Sequence, residues 1–313
     1  MALPASGQLS ISDIATEFDD TQPNSMSEFY RGGALVPNSS GNSAVPTSGA
    51  IAISNFYNAA NRSQVALTIA VNTQDYDLFT EVNALPAYAA GTSDITLTIN
   101  SGVSVGGTST YALTVSNAFT AGDTISIINN GTVIGKGGAG GAGGNGAENR
   151  VSTPGSPGLP GLNALQVAYP TTITNNGILA GGGGGSGGGG GASGGSGFGT
   201  GAAGGGGGGG GAGYTAGSGG AGGSGVYQGT STPGAAGYPG SITAGGAGGV
   251  GGNYFGTVGG NGGVGAAPGA NGNIGTNGSP GASGGAGGDR GFYLVGTDYV
   301  TFAVTGTRLG SVS

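Results

Sequence analysis

Five stretches of the chain have residue types and spacings that could do chemistry. Gly131-Thr-Val-Ile-Gly135-Lys136 carries the glycines and lysine of a phosphate-cradling loop, but the spacing is short and Gly137 stands where a hydroxyl is needed. The Gly-x-Ser-x-Gly pattern around Ser186 has the form of a nucleophile elbow, yet the chain has no histidine to serve as base. Gly284-Gly-Ala-Gly-Gly-Asp289 resembles one repeat of a calcium β-roll, and a single copy cannot complete a site. Asp19-Asp20 and Asp75-Tyr-Asp77 pair carboxylates that could hold a cation, although such pairs read first as solvated surface groups. With neither His nor Cys, the chain has no imidazole acid–base group, thiol nucleophile, disulfide or zinc site. No enzyme activity, cofactor or metal site is expected.

Recognition is the other kind of chemistry, and its candidates are aromatic. Phe198, Tyr214, Tyr227, Tyr238, Tyr254 and Phe255 interrupt a stretch that is otherwise mostly glycine. Tyrosine offers large, rigid contact area and a hydroxyl at small entropic cost, and exposed apolar patches mark interaction sites. These six residues are the expected ligand contacts.

They must be positioned by the glycine tracts between residues 135 and 291. Glycine loses more freedom on folding than any other residue, so a flexible linker is the first reading. Against it, the glycines keep a period of three, as in Gly155, Gly158 and Gly161 and in the run from Gly269 to Gly287. Three residues per turn is the pitch of the polyproline-II conformation. A collagen helix would need far more proline than the 13 present. The alternative is a bundle of glycine helices packed side by side, their backbone groups bonded laterally. Its centre should be the purest tracts, Gly181–Gly191 and Gly204–Gly211. The run from Gly269 to Gly287 should lie at the edge, with Asn271, Ile274 and Thr276 facing outward.

Composition narrows the partners. The 313 residues include 82 glycines, 6 Lys+Arg and 13 Asp+Glu. Six scattered cations make no nucleic-acid stripe. There is no apolar run long enough to span a membrane, and the first residues lack the charged and apolar regions of a signal peptide.

Around the tracts lie regions of ordinary composition. Residues 1–61 contain a repeat: Ser6-Gly-Gln-Leu-Ser-Ile-Ser-Asp13 matches Ser48-Gly-Ala-Ile-Ala-Ile-Ser-Asn55, with a shorter echo at Met26-Ser-Glu-Phe-Tyr30. Ser12, Ser27 and Ser54 are read as helix N-caps. Ile11, Ile14, Phe18, Phe29, Tyr30, Phe56 and Tyr57 form a small core or a docking surface. Residues 62–135 alternate apolar residues with threonine and read as a β-rich module. Ile127-Ile-Asn-Asn-Gly131 and Ile173-Thr-Asn-Asn-Gly177 repeat one another, each as strand, tight Asn-Gly turn with positive φ, and strand. Residues 136–291 form the glycine bundle, and 292–313 return to strand pattern as a closing hairpin. The expected class is mostly β and irregular.

A short N-terminal region followed by glycine-rich motifs and aromatic loops resembles the distal tail-fibre adhesins of T-even-like bacteriophages. The features that carry the resemblance are the tracts 135–152, 181–225 and 244–291, together with the Ser-Gly-x-Leu/Ile-x-Ile-Ser-Asp/Asn motif and Phe29-Tyr-Arg-Gly-Gly33. The resemblance implies a virion protein, assembled in the host cytoplasm. It would be attached through residues 1–61 to another fibre or tail component and would bind a host surface protein or glycan through the loops of a polyglycine-II bundle. The alternative is a structural virion component with no receptor, such as a capsid decoration, head fibre or minor tail protein.

Overall fold

The computed structural model describes residues 3–21, 24–147, 151–194, 201–227 and 230–313. Its first module, residues 3–61, is built on three turns of one design. Helix α1 (Ile11–Glu17) starts at Ser10, whose hydroxyl accepts from Asp13 N while Asp13 accepts from Ser10 N at 2.8 Å, a reciprocal capping box. The turns Met26–Glu28 and Ile53–Phe56 share its back-reaching half, Glu28 accepting from Ser25 N and Asn55 from Ala52 N, each at 2.8 Å. The caps are thus Ser10, Ser25 and Ala52, two residues before the serines read from sequence. The carboxylate or amide at the third helical position reaches back only to that residue. The position after each such residue is buried, as Ile14, Phe29 and Phe56. Phe18, Phe29 and Phe56 pack together with centroids 6.1–6.3 Å apart.

From Ser63 the chain winds in one direction. The strands are β1 (Ser63–Ile69), β2 (Thr73–Gln74), β3 (Tyr76–Asp77), β4 (Ser93–Ile99), β5 (Ser104–Gly106), β6 (Leu113–Val115), β7 (Thr124–Asn129), β8 (Thr132–Ile134), β9 (Leu165–Val167), β10 (Thr171–Asn175) and β11 (Ile178–Ala180). Two short hairpins follow, β12 (Val226–Tyr227) with β13 (Thr230–Ser231) and β14 (Asn253–Tyr254) with β15 (Thr257–Val258), and then β16 (Leu294–Val295), β17 (Val300–Val304) and β18 (Thr307–Leu309). Apart from the hairpins, three sheets form, ordered β1-β4-β7-β10-β17, β18-β11-β8-β5-β2 and β16-β9-β6-β3, all parallel. This is a three-sided parallel β-helix of five coils. Side chains stack in register through it: Leu67, Leu97, Ile127, Ile173 and Phe302 make one column. Beside it Asn129 donates to Asn175 at 2.8 Å, both fully buried. Helix α2 (Leu78–Asn83) adds Leu78 and Val82 to the same core.

Two expectations change here. Residues 292–313 make no hairpin: β16, β17 and β18 each add a parallel strand to a different sheet. The β region therefore takes in residues on both sides of the glycine tracts. The Asn-Gly pairs join strands of different sheets, and neither Gly131 nor Gly177 has positive φ. Glycine is required there because successive coils stack closely: a Cβ on Gly177 would stand 2.0 Å from the Gly131 carbonyl oxygen.

The glycine tracts are two insertions at one corner of this coil. The chain leaves after β8 and returns at β9, then leaves after β11 and returns at β16. Among the described residues the insertions form ten tracts: 136–146, 153–162, 181–192, 203–212, 217–224, 232–241, 245–252, 259–266, 270–278 and 282–291. Hydrogen bonds between them follow a strict period of three. Gly182, Gly185, Gly188 and Gly191 donate to residues 162, 159, 156 and 153; Gly183, Ser186 and Gly189 donate to 212, 209 and 206; Gly184, Gly187 and Gly190 donate to 270, 273 and 276. The same tract accepts from 138–144, 260–269 and 282–291, so it has six neighbours. Tract 203–212 also has six, 136–146 and 259–266 have four, and the other six tracts have three. That is close packing in rows of three, four and three.

Every residue of 181–192 and 203–212 is buried, and Asn271, Ile274 and Thr276 are exposed. Close approach is what glycine supplies: a Cβ on Gly188 would lie 2.1 Å from the Ala142 carbonyl oxygen. At the rim, side-chain amides stand in for missing neighbours. The Oδ1 atoms of Asn145, Asn261, Asn271 and Asn277 accept from the amides of Ser224, Gly251, Arg290 and Gly284 at 2.8–3.0 Å.

Candidate functional site

Tracing the tracts sorts the loops into two ends. Turns 213–216, 242–244 and 267–269 lie at the base, beside the β-helix; of the described residues, 147, 151–152, 193–194, 201–202, 225–227, 230–231, 253–258 and 279–281 lie at the far tip. The best-defined tip element is the hairpin β14–β15. Its two loop residues, Phe255 (φ 40°) and Gly256 (φ 87°), both have positive φ, as a tight two-residue turn demands. Asparagine or glycine is the ordinary choice at the first of these positions, and a bulky side chain there is strained. Phe255 occupies it nonetheless and is 85% exposed.

The neighbours hold this aromatic in place. Tyr254 meets Phe255 edge-on, with centroids 5.0 Å apart at 74°. The Tyr254 ring sits against Gly201, where a Cβ would be 2.3 Å from Cδ1. Val258 exchanges two backbone hydrogen bonds with Ser279, at 3.0 and 2.8 Å. Val151, Val226 and Val258 add exposed apolar surface at the same end. Val151 and Val258 escaped sequence reasoning; the signal was a single large aliphatic residue at the boundary of a tract. Among the described residues of the tip loops, none is charged. The described part of the tip offers aromatic and aliphatic surface together with hydroxyl, amide and backbone polar groups.

The aromatic candidates do not all meet there. Tyr254 and Phe255 are at the tip, as is the Tyr227 backbone in β12; Phe198 lies outside the described residues. Tyr238 is exposed on the bundle's flank, within tract 232–241. Tyr214 is in a base turn, against Gly106 of β5. It sits at the wrong end for a tip contact, because its tract has already run back to the β-helix.

In the first module, Ile14, Phe18, Phe29 and Phe56 are buried and serve as core. Ile11, Tyr30 and Tyr57 are half-buried. The Tyr57 hydroxyl donates to the Gly7 carbonyl at 2.6 Å, and that of Tyr30 donates to the Gly49 carbonyl.

The catalytic-looking motifs resolve into structure. Ser186 is fully buried and its hydroxyl lies 3.1 and 2.6 Å from the carbonyl oxygens of Gly209 and Gly263. The Asp75 carboxylate accepts from the Thr108 and Ser109 amides and the Thr108 hydroxyl. Burial would raise its pKa, but these bonds and the Lys136 charge hold it below the usual carboxylate value. Asp77 caps α2, accepting from Thr80 N at 2.8 Å. Gly131–Lys136 is strand β8 and the first exit to the bundle.

Residues 64–313 match the family model described as phage tail fibre adhesin Gp38. The chain belongs to that family. The protein is thus a bacteriophage tail-fibre adhesin that binds a host receptor, and its place is the tail of the virion. The match begins one residue into β1, so the first module lies outside it. A solved structure, described as the gp37-gp38 adhesin tip complex of the bacteriophage S16 long tail fiber, is similar at TM-score 0.48 and 19% identity, covering 99% of this chain and 100% of that one. No curated protein matches. Among the described residues no helix is long and apolar enough to cross a membrane.

Proposed function

We infer that this adhesin contacts its receptor through the bundle tip, with Phe255 and Tyr254 at the centre of the contact and Val226, Val258 and Val151 around them. The observation that carries this is Phe255, a large apolar side chain held exposed by a backbone conformation unfavourable to it. Strained, exposed aromatics are costly, and such features cluster where a protein binds. Residues 1–61, which have a core of their own, attach the adhesin to another fibre component. The tracts act as polyglycine-II helices, a reading supported by their three-residue hydrogen-bond period. The role is binding rather than catalysis. The working units are then residues 1–61, the β-helix (62–135 with 163–180 and 292–313), and the bundle (the remainder of 136–291).

Phe255→Ala tests the tip. Adsorption of the purified protein to host cells should fall roughly tenfold or more, as for a central hot-spot aromatic. The melting temperature should hold, because the ring is exposed. Normal adsorption by both Phe255→Ala and Tyr254→Ala would move the receptor contact off this hairpin.

A further inference from the structure

The bundle is joined covalently to the β-helix on coils three and four alone, where the chain crosses at residues 135, 163, 181 and 292. Tracts 217–224, 232–241 and 245–252 lie on the side away from those crossings, and none continues into a β-helix strand. That half is held within the bundle by its hydrogen bonds to tracts 136–146, 203–212 and 259–266, and it meets the β-helix only through its base turns. The turn leading into it carries Tyr214. The Tyr214 ring fills the space that a side chain on Gly106, in coil two, would occupy: a Cβ there would stand 1.9 Å from Cγ and 2.3 and 2.4 Å from the two Cδ atoms. The turn is pinned on either side, Tyr214 N donating to the Gly135 carbonyl at 3.2 Å and Gly137 N to that of Thr215 at 3.0 Å. The Tyr214 hydroxyl has no partner among the described residues, so the contact is made by the ring.

We propose that Tyr214 seated on Gly106 is the joint that fixes the bundle's orientation on the β-helix, making Tyr214 a positioning residue for receptor binding. The joint stands on geometry; its effect on adsorption rests on the tip reading above. A bundle free to swing presents its tip correctly for only part of the time, and apparent affinity falls by that fraction. The ring suffices, so phenylalanine should substitute fully.

The absence of native cysteine makes the test direct. Spin labels on Ala66→Cys, exposed on β1, and Ser231→Cys, exposed at the tip, report the distance distribution in the full chain. The parent and Tyr214→Phe should give one narrow distribution and equal adsorption. Tyr214→Ala, and Gly106→Val if it folds, should broaden the distribution and lower adsorption roughly tenfold if a tenth of molecules remain aligned. A narrow distribution in a folded Tyr214→Ala protein overturns the joint. A broad distribution with unchanged adsorption overturns its role in binding, provided Phe255→Ala still impairs adsorption in the same assay. If Phe255→Ala is also silent, the tip reading has failed and the joint stands.

Discussion

The β-helix and the glycine bundle hide backbone from water by opposite means. In the β-helix, strands pair along three sheets and fill the interior with side chains, as in the column from Leu67 through Leu97, Ile127 and Ile173 to Phe302. In the bundle the interior is the backbone itself, and each central tract is bonded to six neighbours. Hydrophobic transfer stabilises the first at about 25 cal/mol per Å² of apolar surface. The second depends on hydrogen bonds worth about 0.5–1.5 kcal/mol net each and on dispersion at close approach. These must offset an entropic cost of roughly 1–2 kcal/mol per residue. One region therefore tolerates missing atoms poorly, and the other tolerates added atoms poorly.

The sharpest way to break this contrast is to add one methyl group to the bundle centre. Gly188→Ala places a Cβ 2.1 Å from the Ala142 carbonyl oxygen, with backbone on every side. The loss should exceed about 4 kcal/mol, at the exceptional end for point mutations. It should appear as protease cleavage within residues 136–162 and 181–291 while the β-helix stays protected. A stable, protected bundle in that variant would refute a backbone core. Removing atoms from the β-helix comes next. Leu97→Ala, at a fully buried position, should lower stability by about 2–5 kcal/mol through its cavity, read from the denaturant midpoint, with no effect on bundle cleavage.

The smallest effect sharpens the contrast electrostatically. Burial of Asp94 would raise its pKa. The bonds from Thr124, Arg62 and Gln64, and the charge of Arg62, outweigh that and hold it below the usual value. A carboxyl lowered on folding stabilises the native state above its unfolded pKa, near 4, and that contribution fades as pH falls through the folded value. Stability of the parent should therefore drop slightly more than that of Asp94→Asn as pH falls below about 4, measured by melting in matched buffers. An equal drop would remove Asp94 from the account.

The bundle was the more legible of the two regions. Its period of three is written directly in glycine positions, and burial follows from how many positions per triplet are glycine: Gly181–Gly191 inside, Asn271 and Ile274 outside. The β-helix was legible as strands but not as coils. Residues 292–304 show strand pattern, but nothing local says that their partners lie some 130 residues back, across a whole inserted bundle; Asn175 donates to the carbonyl of Thr305, 130 residues further on. The repeated Asn-Gly pairs marked equivalent corners of successive coils, and they misled because the same dipeptide makes hairpins when strands are antiparallel. At the candidate site, the aromatic loops were visible but their polarity was not. Whether a loop lies at base or tip depends on counting tracts, which placed Tyr214 and Phe255 at opposite ends.

The three-residue hydrogen-bond period also governs how such a protein can change over generations. One residue inserted into a tract turns every later position by a third of a turn and drives side chains into neighbouring backbones. Only changes in whole triplets, matched along adjoining tracts, keep the lattice intact. The tip loops obey no such arithmetic. A phage lineage can lengthen, shorten or exchange them without disturbing the bundle's register, and on the tip contact proposed above, shifts of host range should be recorded in the tip loops.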